Sequence, residues 1–159
     1  MGLLNTGSAF PALNVHTVGG GDLDIREELA GSFGVVLFYR GSWCPYCTAQ
    51  LRAFQRAADR FAQEGIKVVA LSVDDETTTK ELVEKHKLTF PVGHSADARA
   101  IAAATGAFVN DEPLHLQSTG FVLAPDGTVI TAVYSSGAIG RLVPEDVLGL
   151  VSHLKKRMG

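Results

Sequence analysis

The sequence predicts an α/β layer fold with a central mixed β-sheet flanked by helices. Three observations carry that prediction. Strand-like apolar runs alternate with helical patterns along the chain. Gly34-Val35-Val36-Leu37-Phe38-Tyr39 and Ile66 to Val73 are rich in β-branched and other apolar residues, as strands covered on both faces are. Phe121 to Ala124, the turn Pro125-Asp126-Gly127 and Thr128 to Tyr134 read as a closing hairpin, which makes the sheet mixed rather than wholly parallel.

Each element has its own reason. Leu13 to Thr17 and Asp22 to Ile25 are short strands around Gly19-Gly20-Gly21, and a short helix over Arg26 to Ala30 follows. After the strand Gly34–Tyr39 comes a long helix from about Pro45 to Gln63. Leu51, Phe54, Ala58 and Phe61 recur there at helical spacing, and Gly65 can take the left-handed conformation a helix exit needs. Asp74 or Asp75 can cap the next helix, to about Lys87. Phe90-Pro91-Val92 reads as extended, and Ser95 as the opening of an alanine-rich helix through Ala104. The last helix starts at Pro144. Glu145 and Asp146 lie near its positive end, and Lys155, Lys156 and Arg157 near its negative end.

A chain of 159 residues with 46% hydrophobic residues is expected to form one domain, 1–159, with a substantial core. The net charge of −3 is mixed along the chain, without a basic arm, so no nucleic-acid footprint is expected. The apolar runs are too short to cross a bilayer, and the first ten residues lack the pattern of a secretory signal. Met1-Gly2-Leu3-Leu4-Asn5-Thr6 loosely fits a myristoylation pattern short enough to match by chance. The chain holds only two cysteines, which fits a reducing compartment and a cytoplasmic location.

Those cysteines form the most informative motif, Cys44-Pro45-Tyr46-Cys47, placed where a buried strand turns into a helix. Proline is favoured at the first helical position. That makes Cys44 the N-cap and Cys47 the third helical residue. A sulfur at the N-cap faces the unpaired N–H groups of Tyr46 and Cys47 and the positive helix end, both of which favour the thiolate. N-cap and third residue already approach one another in capping boxes, so two sulfurs there can form a disulfide with little backbone movement. The preceding strand presents Cys44 at its carboxyl end, where open α/β sheets bind ligands.

Other uses of the pair fit less well. A zinc site needs about four ligands, and this motif supplies two, with no paired spacing among His16, His86, His94, His115 and His153. Haem attachment needs a histidine after the second cysteine, where Thr48 stands. A structural disulfide would close a very short loop and stabilise little. No metal or cofactor is therefore expected.

Phe38-Tyr39-Arg40-Gly41-Ser42-Trp43-Cys44-Pro45-Tyr46-Cys47 resembles the Trp-Cys-x-x-Cys site of the thioredoxin superfamily. Leu71-Ser72-Val73-Asp74, Leu88-Thr89-Phe90-Pro91 and Phe121 to Gly127 resemble segments of the peroxiredoxins of the alkyl hydroperoxide reductase/thiol-specific antioxidant (AhpC/TSA) family, in their order along the chain. The resemblance runs from about Phe10 to Lys156. It implies a thioredoxin-like, peroxiredoxin-type fold, oxidoreductase activity and association as a homodimer. The site departs from the family pattern Pro-x-x-x-Thr/Ser-x-x-Cys. With Cys47 on the peroxidatic cysteine, Cys44 takes the Thr/Ser position and Arg40 the proline position. The family's arginine just before the last hairpin is missing from Leu116 to Gly120. Arg40 and Arg141 are the candidates to replace it.

Two mechanisms remain open. Cys44 could attack a disulfide and Cys47 resolve it, as in thioredoxins. Alternatively, Cys47 could attack a hydroperoxide and Cys44 condense with the sulfenic acid. A thioredoxin- or glutathione-type donor would re-reduce either product. A redox-sensing or binding module without turnover is a third, non-enzymatic reading. Arg40, Trp43, Pro45, Tyr46 and Thr119 are expected to line the site. Trp43 reads equally as a docking surface or as partial core, and Thr119 as a substrate-binding hydroxyl or an ordinary loop residue. His115 precedes the strand that borders the site.

Overall fold

A computed structural model of the protein describes residues 3–158, with Met158 described by its backbone alone. The Met1-Gly2 start of the myristoylation-like pattern lies outside the described residues. Strand β3 (Phe33–Phe38) is buried along its whole length and is central to the sheet. It pairs in parallel with β4 (Ile66–Leu71) and antiparallel with β8 (Thr119–Leu123). The full order is β2-β1-β5-β4-β3-β8-β9, with β1 at Asn14–Thr17, β2 at Gly21–Asp24, β5 at Val92–His94 and β9 at Val129–Tyr134.

Alternation along β3 distributes the core between two faces, because successive strand residues point to opposite sides. Val35, Leu37 and Tyr39 pack with the cysteine pair and with α2 (Pro45–Arg56), α3 (Ala58–Gln63), α4 (Glu76–His86) and α6 (Pro144–Met158). Val36 and Phe38 pack on the other side with α1 (Ile25–Leu29) and α5 (Ala98–Thr105). There Phe121 meets Phe10, Phe38 and Tyr134 edge-on, with centroids 5.3, 5.5 and 5.7 Å away. Such contacts add to the burial of the rings themselves.

The predicted helix over residues 45–63 is interrupted at Ala57, whose N–H is shared among the carbonyls of Ala53, Phe54 and Gln55. No proline or glycine marks that break. Gly65 takes φ 70° after α3, as a helix exit requires. The alanine-rich helix opens at Ala98 rather than Ser95. Asp97 caps it by accepting the Ala100 N–H, and Ser95 has φ 57°, outside helical geometry. A small hairpin of β6 (Val109–Asp111) and β7 (Leu114–Leu116) was not expected from the sequence. Its six residues carry neither a sustained alternation nor a glycine turn. The hairpin matters because it brings His115 to the site.

Candidate active site

The peptide leaves the carboxyl end of β3 at Phe38 and enters α2 at Pro45. Cys44 caps that helix with φ −92° and ψ 113°, and its sulfur accepts the Cys47 N–H at 3.3 Å. Both cysteines are buried, both are free thiols, and they approach to 2.8 Å.

Two arginines converge on the sulfurs from different parts of the chain. Arg40 donates its backbone N–H to Cys47 Sγ at 3.3 Å and places Nη1 3.8 Å from Cys44 Sγ. Its Nε is anchored on Gln117 Oε1 at 2.9 Å, and its guanidinium lies 4.9 Å from the Trp43 ring centroid. Arg141 comes from the segment between β9 and α6. Its Nη2 is 3.5 Å from Cys47 Sγ, and its Nη1 donates to Gln50 Oε1 at 2.9 Å. Gln50 in turn donates to the carbonyl of Leu142 at 2.9 Å, which closes the segment onto α2. Gly120 makes room for this closure: a Cβ there would stand 2.7 Å from Leu142 Cδ1.

The surroundings treat the two sulfurs differently. Burial raises both thiols. At Cys44 it is outweighed by hydrogen bonds from the Cys47 thiol and backbone N–H and by Arg40 and Arg141, so this thiol is held below its ordinary value. At Cys47 burial is reinforced by the neighbouring Cys44 sulfur, and Arg40 and Arg141 offset only part of it, so this thiol is pushed up. The surroundings therefore favour the anion on Cys44 over Cys47.

Trp43 and Tyr46 are 55% and 54% exposed and flank Cys44, with Pro45 exposed between them. Trp43 covers Gly41, where a Cβ would stand 2.2 Å from Nε1, and meets the His115 ring edge-on at 5.0 Å. His115 is buried, and neither ring nitrogen has a hydrogen-bond partner. Burial and the positive Arg40 hold its pKa below the ordinary histidine value. Thr119 is buried and turns its hydroxyl to the Gln117 carbonyl at 3.0 Å, rather than to either sulfur. Among the described residues no group of three or more His, Cys, Asp or Glu side chains is arranged to hold a metal ion.

Asp75 caps α4, and Asp74 has a separate task that the sequence did not reveal. Its Oδ2 accepts the Ser42 N–H at 2.8 Å, tying the loop that carries Cys44 to the β4–α4 connection. Burial raises the Asp74 carboxyl above its usual value, against the hydrogen bonds from Ser42. The folded protein therefore binds this proton more tightly than the unfolded chain does. Between the ordinary carboxylate pKa and the raised one, Asp74 makes stability fall as pH increases. Asp74→Asn keeps a carbonyl oxygen for Ser42 and removes the charge. Denaturant midpoints measured from pH 4 to 7 should fall less steeply in the variant, with no loss at pH 7. A variant midpoint below wild type at pH 7 would show that the carboxylate charge itself holds the loop.

Gln50 and Gln117, which fix the two arginines, were also missed. Gln50 lies one helical turn after Cys47, so its spacing on α2 was an available signal. Gln117 lies on a short connection between strands and offered none.

Comparison with known proteins gives a consistent pattern. Residues 6–132 match the AhpC/TSA family. A peroxiredoxin of Treponema denticola is 31% identical over 147 residues, covering 89% of this chain and 69% of that protein. A peroxiredoxin of Chlorobaculum tepidum is 30% identical over 145 residues, covering 87% and 67%. Among solved structures, a cysteine-to-serine mutant of the peroxiredoxin 6 of Arenicola marina superposes with a TM-score of 0.83 at 21% identity, over 96% of this chain and 74% of that one. Mycobacterium tuberculosis AhpC superposes at 0.81 and 21% identity, over 98% and 95%. At these identities the structures establish a shared fold.

Proposed function

Since the chain belongs to the AhpC/TSA family, we propose that it is a thiol-dependent peroxidase in which Cys44 attacks and Cys47 resolves. One difference between the sulfurs carries the assignment of roles: Cys44 caps α2 and is held below its ordinary pKa, whereas Cys47, despite the Arg40 N–H and Arg141 beside it, is pushed up by burial. The Cys44 thiolate attacks the terminal oxygen of a hydroperoxide and breaks the O–O bond. The sulfur becomes a sulfenic acid, and the other oxygen leaves as an alcohol once protonated. Cys47 then attacks the sulfenic sulfur, forming the Cys44–Cys47 disulfide and releasing water. Two thiol equivalents from a donor return the protein to its starting state. The thiols of the cytoplasm suit that step, and association of two copies belongs to the same reading.

The fully reduced protein, mixed with a limiting amount of tert-butyl hydroperoxide, should lose two thiols per peroxide consumed. Unreacted peroxide beside rapid reduction of a protein disulfide would instead make this a thioredoxin-like disulfide reductase.

A further inference from the structure

His115 has no part in the chemistry described so far, yet it stands beside it. It is 4% exposed, and neither ring nitrogen has a hydrogen-bond partner. A phenyl ring would fill such a place without leaving polar atoms unpaired, so an imidazole there is costly as mere packing. The Trp43 ring lies 5.0 Å away, centroid to centroid. The same indole carries the Arg40 guanidinium at 4.9 Å, and Arg40 Nη1 reaches Cys44 Sγ at 3.8 Å. His115, Trp43, Arg40 and Cys44 thus form one line of contacts from the β6–β7 hairpin to the helix-capping sulfur. The charges that act on His115 are Arg40, from the loop after β3, and Asp74, from the connection after β4. On its own hairpin Asp111 is paired with Arg99 of α5, and Glu112 is exposed. None of these carboxylates accepts from either ring nitrogen.

We propose that His115 is a positioning residue: neutral, it holds Trp43 against Arg40 and so keeps Arg40 on the Cys44 sulfur; protonated, it releases both. The imidazolium has two N–H donors, and its place supplies no acceptor for either. A buried cation without partners is unfavourable, so the protonated ring moves toward solvent. Trp43 is the half-exposed side chain packed against it, and Trp43 yields. Arg40 then keeps its bond to Gln117 but loses the ring face that fixed it. His115 takes one proton from solvent, and no covalent bond changes. Burial and Arg40 place this release on the acid side of about 6.5, the ordinary histidine value. The inference rests on the peroxidase reading only for its effect on turnover.

The test follows the full chain by NMR between pH 5 and 8. Trp43 is the only tryptophan, so one indole N–H resonance reports its place. That resonance should move with the midpoint of the His115 imidazole. It should stay still in His115→Phe, which keeps a ring and cannot take a proton. His115→Gln repeats the comparison should the phenylalanine disturb the fold. Alkylation by iodoacetamide is then measured with Cys47→Ser in both proteins, so that only Cys44 reacts. Below the His115 midpoint, the protein with histidine should lose a further two- to fivefold in rate relative to His115→Phe, about the scale of one exposed cation–π contact. An indole resonance that ignores the His115 titration, or titrates unchanged without the histidine, would overturn the assignment. Superimposable alkylation profiles would overturn it too. Neither readout uses peroxide. If both behave as expected while peroxide stays unreacted, the peroxidase reading fails and His115 still positions Arg40.

Discussion

Cys44→Ser should abolish the reaction of the protein with peroxide, whereas Cys47→Ser should preserve its first turnover. The asymmetry follows from which sulfur the surroundings favour as the anion. Cys44 takes its hydrogen bond from the Cys47 backbone N–H, a group that Cys47→Ser leaves in place. The serine hydroxyl can also donate where the Cys47 thiol did. Cys44 then reacts once, and its sulfenic acid persists because no second sulfur can displace the hydroxyl. A 1,3-diketone probe should label Cys44 in that variant. In Cys44→Ser the remaining sulfur is Cys47, whose burial works against its ionisation. Stopped-flow mixing at pH 7 should show a rate lower by roughly a thousandfold or more, the scale set by loss of a nucleophile. The opposite pattern, with label on Cys47 in the Cys44→Ser variant, would exchange the two roles. The Arg141 contact to Cys47 would then be the contact to the attacking sulfur.

The site's core was legible in the sequence because its physics is local. Proline at a first helical position, preceded by a cysteine and followed two residues later by another, fixes the cap without any knowledge of the rest of the chain. Strand β3 was legible for a similar reason, since burial on both faces leaves a continuous apolar run. The missing parts depend on contacts between distant segments. Arg141 is separated from Cys47 by 94 residues, and Gln117 from Arg40 by 77. Arg40 and Arg141 could be named as candidates for a missing cation, yet spacing could not say that each would face a different sulfur. The break at Ala57 left no composition signal. The β6–β7 hairpin was invisible because its strands are three residues long and its hydrophobic pattern is too short to show a period. Without that hairpin, His115 could not be placed behind Trp43.

Arg141→Met should slow peroxide reduction by about a hundredfold while leaving the fold intact. Methionine keeps much of the apolar stem and removes the guanidinium. Three partners hold that guanidinium in wild type: Gln50 Oε1, the Ala138 carbonyl and Cys47 Sγ. Its Nε–H is buried and has no hydrogen-bond partner. A buried donor left unpaired in this way is costly. The leaving oxygen of a hydroperoxide gains negative charge as the O–O bond breaks, and a guanidinium held beside the two sulfurs is placed to stabilise that charge. Preorganised donors aimed at developing charge are worth about 10²–10³ in rate when one is removed. Arg141→Lys should recover little, because a single ammonium cannot hold Gln50 and face the sulfurs at once. The pH dependence of thiol alkylation gives a second readout. Arg141 favours the anion on Cys44, so its loss should move the alkylation midpoint to higher pH. A variant with wild-type peroxide rates and an unshifted midpoint would reduce Arg141 to a strut between α2 and the segment before α6.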